Sequence, residues 1–365
     1  MKSRVTIPRA SDVIGLPPVA AFNMLKRLLL WLCLLTLLPV TPLRAGDGIF
    51  ARENLAAWCI VPFDAKHRGP EERAAMLEKL GLTKFIYDYR AEHIPQWDAE
   101  LEALKKHHIS LTGWWFPTTL NDEAKQTLTL FRRHGVSPQL WVMGDGGPVE
   151  VKDEADRLTR IKNEATRLQP IAEAAAAQGC KVGLYNHGSW FGEPENAMAI
   201  VDELRQRGVK NVGLVYNLHH GHSHLDRLEK LLPRMVPYLL CFNLNGMDPV
   251  GEPTGRKILP LGAGSADVKV LRLLRASNYQ GMVGILNHTD EDAEGRLQDN
   301  LDGLAWLLPQ LDGHPAAPRP AYRTWQENPP AAPGPDTAPR PGAAPAPAPA
   351  PALPTPPPAS ATKGG

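Results

Sequence analysis

The chain has 365 residues, and its 40 Lys and Arg residues almost balance its 39 Asp and Glu residues. This length allows one large domain or two small ones. A formal charge of +1 lacks the basic excess that nucleic-acid-binding proteins typically carry, so we expect no nucleic-acid partner. About half of the 36 prolines follow Gly313, and without that segment the composition is that of an ordinary globular enzyme.

The N-terminal segment has the pattern of a secretory signal. Residues 24–27 (Met-Leu-Lys-Arg) supply positive charge, residues 28–38 are almost entirely apolar, and small residues lead up to Ala45. The apolar run is shorter than the ~20 residues that a membrane-spanning helix needs. We therefore predict that residues 1–45 are a leader and signal peptide with Met24 as the start, and that the protein is exported to the periplasm or cell envelope. An uncleaved N-terminal anchor is the alternative.

The C-terminal segment, residues 314–365, is rich in Pro and Ala, with strict alternation at 344–351. Such a sequence buries little apolar surface and favours the extended polyproline II conformation. We predict a disordered, semi-rigid tail that allows association with the cell envelope. Residues 46–313 are then left as the folded domain.

Outside the signal segment the chain has three cysteines, Cys59, Cys180 and Cys241. Their number is odd, and none of them forms a CxxC pair or has the spacing of a metal finger. They are predicted to be small buried side chains, not parts of a disulfide framework.

Between the two terminal segments, short apolar runs alternate with helical periods. In chain order, the runs that indicate strands are residues 57–61, 84–89, 110–116, 139–143, 181–186, 212–217, 238–243 and 282–287. The amphipathic stretches that indicate helices are residues 71–80, 98–108, 121–134, 153–178, 195–207, 225–235, 267–277 and 293–308. The strand runs are almost continuously apolar, as expected of strands that are buried on both faces.

This eightfold β–α repeat predicts an α/β fold, a single (β/α)8 TIM barrel. A doubly wound open sheet is the structural alternative. No GxGxxG motif follows the first run, so no nucleotide cofactor is expected. In a barrel the catalytic residues lie at the carboxyl ends of the strands, and the residues at those ends are therefore the site candidates.

Histidine is concentrated at these strand ends. Half of the 12 histidines follow the fifth, sixth and eighth strands: His187, His219, His220, His222, His224 and His288. Imidazole binds divalent ions and also exchanges protons near neutral pH. The cluster therefore predicts a metal site or an acid–base site, with Glu193, just past the fifth strand, as a further candidate base.

Aromatic and polar residues at the strand ends predict a carbohydrate site. Flat apolar rings complement the face of a sugar ring, and a few polar groups orient it. The candidate substrate-binding residues are Arg90, Trp114, Trp115, Asn186, Trp190, Asn217 and Asn243. Only Arg90 is an evident candidate for binding a phosphate, so we expect a neutral sugar as the substrate.

Two of these strand-end motifs resemble those of the xylose isomerase-like TIM barrel family. They are residues 185–188 (Tyr-Asn-His-Gly) and 217–220 (Asn-Leu-His-His), and the resemblance covers about residues 54–311. The family includes sugar isomerases and epimerases, endonuclease-type members and lyases that act on 3-keto-glycosides. The resemblance implies a barrel enzyme that moves a proton at the carbon beside a carbonyl.

The resemblance also implies one divalent ion, which the family holds with carboxylates and a histidine. Here the carboxylate positions fall on Tyr185, Asn217 and either Leu286 or Asn287, all of them neutral. Neutral oxygens hold a hard divalent cation less well than carboxylates do. Two expectations stay open: no ion, or a divalent metal (Zn, Mn, Co or Ni) held by histidines. The ligands in the second case would be His187, His220, His222 and His288.

Together these features predict an exported enzyme that acts on a neutral sugar or 3-keto-glycoside. The reaction would be isomerisation, epimerisation or β-elimination, with Glu193, His187 and His220 as catalytic residues. A non-catalytic saccharide-binding barrel is the first alternative. A glycoside hydrolase is the second, but it needs two facing carboxylates, and only Asp145 or Glu193 opposite Asp248 is available.

Overall fold

The structure, a computed structural model, describes residues 47–144 and 150–327. The predicted leader and signal peptide (1–45) and the part of the tail beyond residue 327 lie outside the described residues. None of the helices in the described ranges is both long and apolar enough to cross a membrane.

Within the described residues, eight parallel strands close into a barrel in sequence order. The strands are β1 (Leu55–Trp58), β2 (Lys84–Tyr87), β3 (Ser110–Trp115), β4 (Gln139–Val142), β5 (Lys181–Tyr185), β6 (Val212–Asn217), β7 (Leu239–Leu244) and β8 (Met282–Leu286). A helix follows each strand: α1 (Pro70–Lys79), α2 (Trp97–Lys106), α3 (Asp122–His134), α4 (Glu154–Ala176), α5 (Pro194–Gln206), α6 (Leu228–Met235), α7 (Asp267–Ala276) and α8 (Ala293–Leu311). Because β8 pairs with β1, the predicted TIM barrel is confirmed and the open-sheet alternative is excluded.

The first strand is the one whose predicted position was wrong. It begins at Leu55 and ends at Trp58, whereas the apolar run indicated residues 57–61. Cys59 has a left-handed backbone with φ of 59°, and a β-strand cannot continue through that conformation. The residues after Cys59 therefore form the loop that leads from β1 to α1.

The barrel interior is filled by aromatic side chains from strands that are not neighbours. Trp58 of β1 and Trp141 of β4 have ring centroids 4.7 Å apart, and the rings of Trp115 and Tyr185 are 5.0 Å apart. Gly183 makes room for this packing, because a Cβ atom there would lie 2.5 Å from Val215 Cγ2 and 3.2 Å from Trp141 Cδ1. The interior is thus a packed core that supports the carboxyl end of the barrel.

A second aromatic layer lies between the strands and the helices. Trp114 stacks on Tyr87 at 4.5 Å and contacts Trp97 of α2 at 5.3 Å and Phe131 of α3 at 5.1 Å. Successive side chains of a strand point to opposite faces, so Trp114 faces the helices when Trp115 faces the interior. Trp114 is fully buried in this layer, and its contacts do not support the predicted role in sugar binding.

Three residues of the segment after Gly313 contact the barrel. Asp299 of α8 is fully buried and accepts the backbone N–H groups of Arg323 and Thr324, both at 2.8 Å. The Tyr322 hydroxyl donates to the Leu261 carbonyl at 2.8 Å. Residues 322–324 therefore lie against the barrel, within the segment that the sequence assigns to the tail.

The predicted burial of the three cysteines is confirmed. Cys59, Cys180 and Cys241 are all buried, and none of them forms a disulfide with another described residue.

Candidate active site

Four imidazole rings form a continuous row at the carboxyl end of the barrel. His187 follows β5, His219 and His220 follow β6 in a 3-10 turn, and His288 follows β8. The ring centroids of His187 and His220 are 4.4 Å apart, those of His220 and His219 are 4.1 Å apart, and those of His219 and His288 are 5.1 Å apart. We call these four residues the imidazole row. The structure thus brings together four of the six histidines that the sequence analysis assigned to the strand-end cluster, with His219 in contact with two of the others.

The members of the imidazole row differ in their exposure. His219 and His288 are buried, with exposed fractions of 1% and 6%, whereas His187 and His220 are partly exposed. The ring centroids of Trp115 and Tyr185, in the barrel interior, lie 6.5 and 6.3 Å from the ring centroid of His187. His187 and His220 are therefore the members of the row with solvent-exposed ring surface, although their Nε2 atoms are buried.

Two asparagines join the strands that carry the reachable pair. The Asn217 N–H donates to Asn186 Oδ1 at 2.7 Å, and Asn186 Nδ2 donates to the Asn217 carbonyl at 3.1 Å. The Asn217 side-chain amide also donates to the Tyr185 hydroxyl. Both asparagines are buried, so their contacts indicate a positioning role and do not support the predicted substrate contacts. Asn243 is also fully buried and accepts the Cys241 thiol on Oδ1 at 3.3 Å.

The loop after β1 completes the far end of the imidazole row. The Phe63 ring lies 4.0 Å from the His288 ring. Asp64 fixes this loop, because it accepts the Ala293 N–H at 3.1 Å and pairs with Arg68 at 2.8 Å. Sequence reasoning missed Phe63 because the predicted first strand ended too late, and the loop was not counted among the strand ends.

Glu193 lies just before α5, in a separate group of contacts. Its carboxylate pairs with Arg227 at 2.5 Å and contacts His224 Nε2 at 3.3 Å, and the other ring nitrogen of His224 contacts the Tyr216 hydroxyl at 3.1 Å. The hydrogen bond with His224, helped by the charge of Arg227, lowers the pKa of Glu193 although burial opposes the shift. A paired carboxylate with a lowered pKa is a weak base near neutral pH, which does not favour Glu193 as the catalytic base. The catalytic role of Glu193 stays a prediction.

The carboxylates that a glycoside hydrolase would need are also committed to protein contacts. Asp248 pairs with Arg256 and accepts the Ser265 N–H at 2.8 Å. Asp145 lies outside the described residues. The described carboxylates, Glu193 and Asp248, are each held by an arginine, which does not favour the hydrolase alternative.

The remaining predicted residues lie in two other places. His222 is partly buried, and burial, together with the charge of Lys257, lowers its pKa to about 4. Its Nδ1 lies 3.8 Å from Glu252. Trp190 is buried beneath the Arg160 guanidinium, whose Cζ is 5.9 Å from the ring centroid.

The residues at the family's metal-ligand positions do not fit a carboxylate-bound cation. Tyr185 and Asn217 are hydrogen-bonded to each other, and Asn287 donates to the Ala293 carbonyl at 3.1 Å and accepts from Asn300 at 3.3 Å. All of them are neutral. Among the described residues, no group of three or more His, Cys, Asp or Glu side chains is arranged to hold a metal ion. The predicted metal ligands His187, His220 and His288 instead contact other aromatic rings.

Comparison with known proteins identifies the family. Residues 88–309 match the family model described as xylose isomerase-like TIM barrel. The chain belongs to the xylose isomerase-like TIM barrel family. No curated protein sequence matches the chain.

Solved structures of the same architecture share little sequence with this family member. The apo 3-keto-D-glucoside 4-epimerase from E. coli is 18% identical with a TM-score of 0.50, and the match covers 70% of this chain and 99% of that chain. The IolI protein with a zinc atom is 16% identical with a TM-score of 0.54, covering 71% and 99%. L-ribulose 3-epimerase is 14% identical with a TM-score of 0.52, covering 72% and 96%. At these identities the likeness concerns the fold.

The position of Phe63 depends on the ionised form of Asp64. Burial alone would raise the pKa of Asp64, but hydrogen bonds from the Ala293 and Arg68 N–H groups and from the Arg68 guanidinium lower it. For Asp64→Asn we expect a loss of about 1–3 kcal/mol in the free energy of unfolding at pH 7. Because the folded pKa lies below the unfolded one, this stabilisation is present above the unfolded value of about 4 and is lost as the pH falls through the folded pKa.

Urea denaturation of both proteins from pH 7 to pH 2.5 measures this difference. Asp122→Asn is the matched control, since the Asp122 side chain is fully exposed, and its stability should match that of the wild type. A difference for Asp64→Asn that stays as large at pH 2.5 as at pH 7 would contradict the assignment.

Proposed function

We propose that this protein is a sugar isomerase- or epimerase-like enzyme that transfers a proton at the carbon beside a carbonyl. His187 and His220 are the transferring pair. The observation that carries the proposal is the imidazole row, which places these two partly exposed rings 4.4 Å apart at the catalytic end of the barrel. The family membership supports it, as do the epimerases that share the fold, one acting on a 3-keto-D-glucoside and one on L-ribulose.

The spacing of the two rings supports acid–base chemistry. Two imidazolium charges at this distance repel each other, so the pair holds one proton more readily than two. The neutral ring removes the proton from the carbon, and the charged ring donates its proton to the carbonyl oxygen, which gives a neutral enediol. Return of a proton to the opposite face of the same carbon is epimerisation, and return to the neighbouring carbon is isomerisation. Loss of a substituent from the β carbon is elimination.

The surrounding residues support this reaction by fixing the pair. The Asn186–Asn217 hydrogen bonds hold the ends of β5 and β6 together, and His219 packs on the inner side of His220 at 4.1 Å. Proton transfer requires reacting groups within hydrogen-bond reach of a defined position, and loops that are tied to each other provide it. No step in this proposal passes through a metal ion.

The substrate expected from the sequence is a neutral sugar or a 3-keto-glycoside, and the enzyme is proposed to act outside the cytoplasm. The signal pattern of residues 1–45 supports export, and the Pro-rich segment supports association with the envelope. N-terminal sequencing of the protein recovered from the periplasm tests the cut after Ala45. A protein that is found only in the cytoplasm with its leader intact would contradict export.

Exchange of hydrogen with solvent tests the reaction without knowledge of the product. The full-length protein is incubated in D2O with 3-keto-glucosides and ketohexoses, and NMR measures deuterium at the carbon beside the carbonyl. The wild type is expected to exchange at least one of these substrates. His220→Ala should slow the exchange by about 10²–10⁴-fold, because a proton-transfer group is lost.

The matched control is His314→Ala, which removes an exposed histidine outside the site and should leave the exchange rate unchanged. The melting temperature of His220→Ala should stay close to that of the wild type, since its ring is partly exposed. Exchange at the wild-type rate in His220→Ala would contradict the proposal. So would an absence of exchange by the wild type, or unfolding of the variant.

A further inference from the structure

A cavity of about 510 Å³ lies beside the imidazole row, between the loops that follow β1, β2 and β8. Its lining includes Phe63, Arg68, Arg73, Arg90, His93 and Asp290. Phe63 also contacts His288, so this ring separates the cavity from the end of the imidazole row. The volume is typical of pockets that bind small molecules.

Two of the three lining arginines have their charge balanced by protein carboxylates. Arg68 donates to both oxygens of Asp64 at 2.8 and 3.0 Å and to Asp292 at 2.7 Å. Arg73 is buried and pairs with the buried Glu100 at 2.5 Å. These two guanidinium groups are therefore structural, and they leave little charge for a ligand.

Arg90 is bound differently. Its Nη1 donates to the Tyr89 carbonyl at 2.9 Å, and its Cζ lies 5.4 Å from the centroid of the Phe63 ring. Its Nε and Nη2 groups make no hydrogen bond or ion pair with any residue in 47–144 or 150–327. The Nε–Nη2 edge of a guanidinium presents two parallel N–H donors, the geometry that binds a carboxylate in a bidentate manner.

His93 adds a further donor at the same cavity. Its Nδ1 accepts the backbone N–H of Arg90 at 2.9 Å. Burial lowers the pKa of His93, so the ring is neutral at pH 7 and carries its proton on Nε2. The ring therefore offers one N–H group in addition to the Arg90 edge.

We propose that this cavity binds the carboxylate of a hydroxylated monocarboxylic acid, a sugar acid, through the Nε–Nη2 edge of Arg90. A neutral sugar would leave the guanidinium without a counter-charge. The exposed Glu92 and Asp290, which also line the cavity, would repel a phosphate dianion about twice as strongly as a singly charged carboxylate. The inference goes beyond the proposed function, because Phe63 separates this cavity from the imidazole row and the lining includes none of its four histidines.

Calorimetric titration of the full-length protein with D-glucuronate, D-glucose and D-glucose 6-phosphate tests the inference. D-glucuronate is expected to bind at least about tenfold more tightly than either of the other probes, because a bidentate charged contact is gained. Arg90→Gln should weaken D-glucuronate binding by about tenfold or more and leave D-glucose binding unchanged. Arg90→Lys keeps the charge without the planar edge and should also lose most of the preference.

Arg132→Gln, on the exposed face of α3, is the matched control and should bind all probes as the wild type does. Equal binding of the three probes, tighter binding of the phosphate, an unchanged affinity in both Arg90 variants, or no binding of D-glucuronate would each overturn the inference. If Arg90→Gln does not fold, the result for Arg90→Lys decides.

The deuterium-exchange assay separates this inference from the proposed function. Exchange of a neutral 3-keto-sugar by a protein that does not bind D-glucuronate would leave the proposed function standing and overturn the carboxylate site. Binding of D-glucuronate that depends on Arg90, without exchange on any substrate, would leave the carboxylate site standing and overturn the proposed function.

Discussion

The reciprocal hydrogen bonds between Asn186 and Asn217 are the contact on which the candidate site depends. They join the carboxyl ends of β5 and β6 at buried positions. A buried amide left without its partner costs about 1–3 kcal/mol, so this pair fixes the relative position of the two strand ends. His187 is one residue beyond the first asparagine and His220 is three residues beyond the second. The distance between the two imidazoles is therefore set by a contact that no ligand needs to make.

The same region explains why the chain departs from the carboxylate pattern of its family. A carboxylate at residue 185 or 217 would be a buried charge in a packed interior and would need a cation to balance it. Tyr185 and Asn217 satisfy each other by a hydrogen bond and remain neutral. The imidazoles of the row are titratable groups at the same end of the barrel, and imidazole transfers protons near neutral pH without a bound ion. Neutral residues at positions 185 and 217 and a row of imidazoles thus occur together at this end of the barrel.

Sequence reasoning recovered the features that depend on local pattern. Continuous apolar runs identified the starts of seven strands within one residue, and barrel geometry implied that His187, His220 and His288 would meet although they are far apart in the chain.

The sequence could not predict features that depend on backbone conformation, or which side chains of a strand face the barrel interior. The left-handed Cys59, which ends β1 early, carries a Cβ atom and gives no signal of the kind that glycine gives. Trp114 and Trp115 look equivalent in the sequence, and only pairing with β4 determines which of them faces the interior. Asp299 accepts the N–H groups of Arg323 and Thr324 across an intervening Pro-rich stretch, and the sequence gives no sign of this long-range contact.

We propose that the imidazole row transfers protons and does not hold a metal ion. Elemental analysis of the purified full-length protein, after incubation with Zn, Mn, Co or Ni and dialysis without chelator, tests this role most directly. We expect metal far below one ion per chain, with no difference between the wild type and His220→Ala. One ion per chain that is retained by the wild type and lost by His220→Ala would contradict the proposed role.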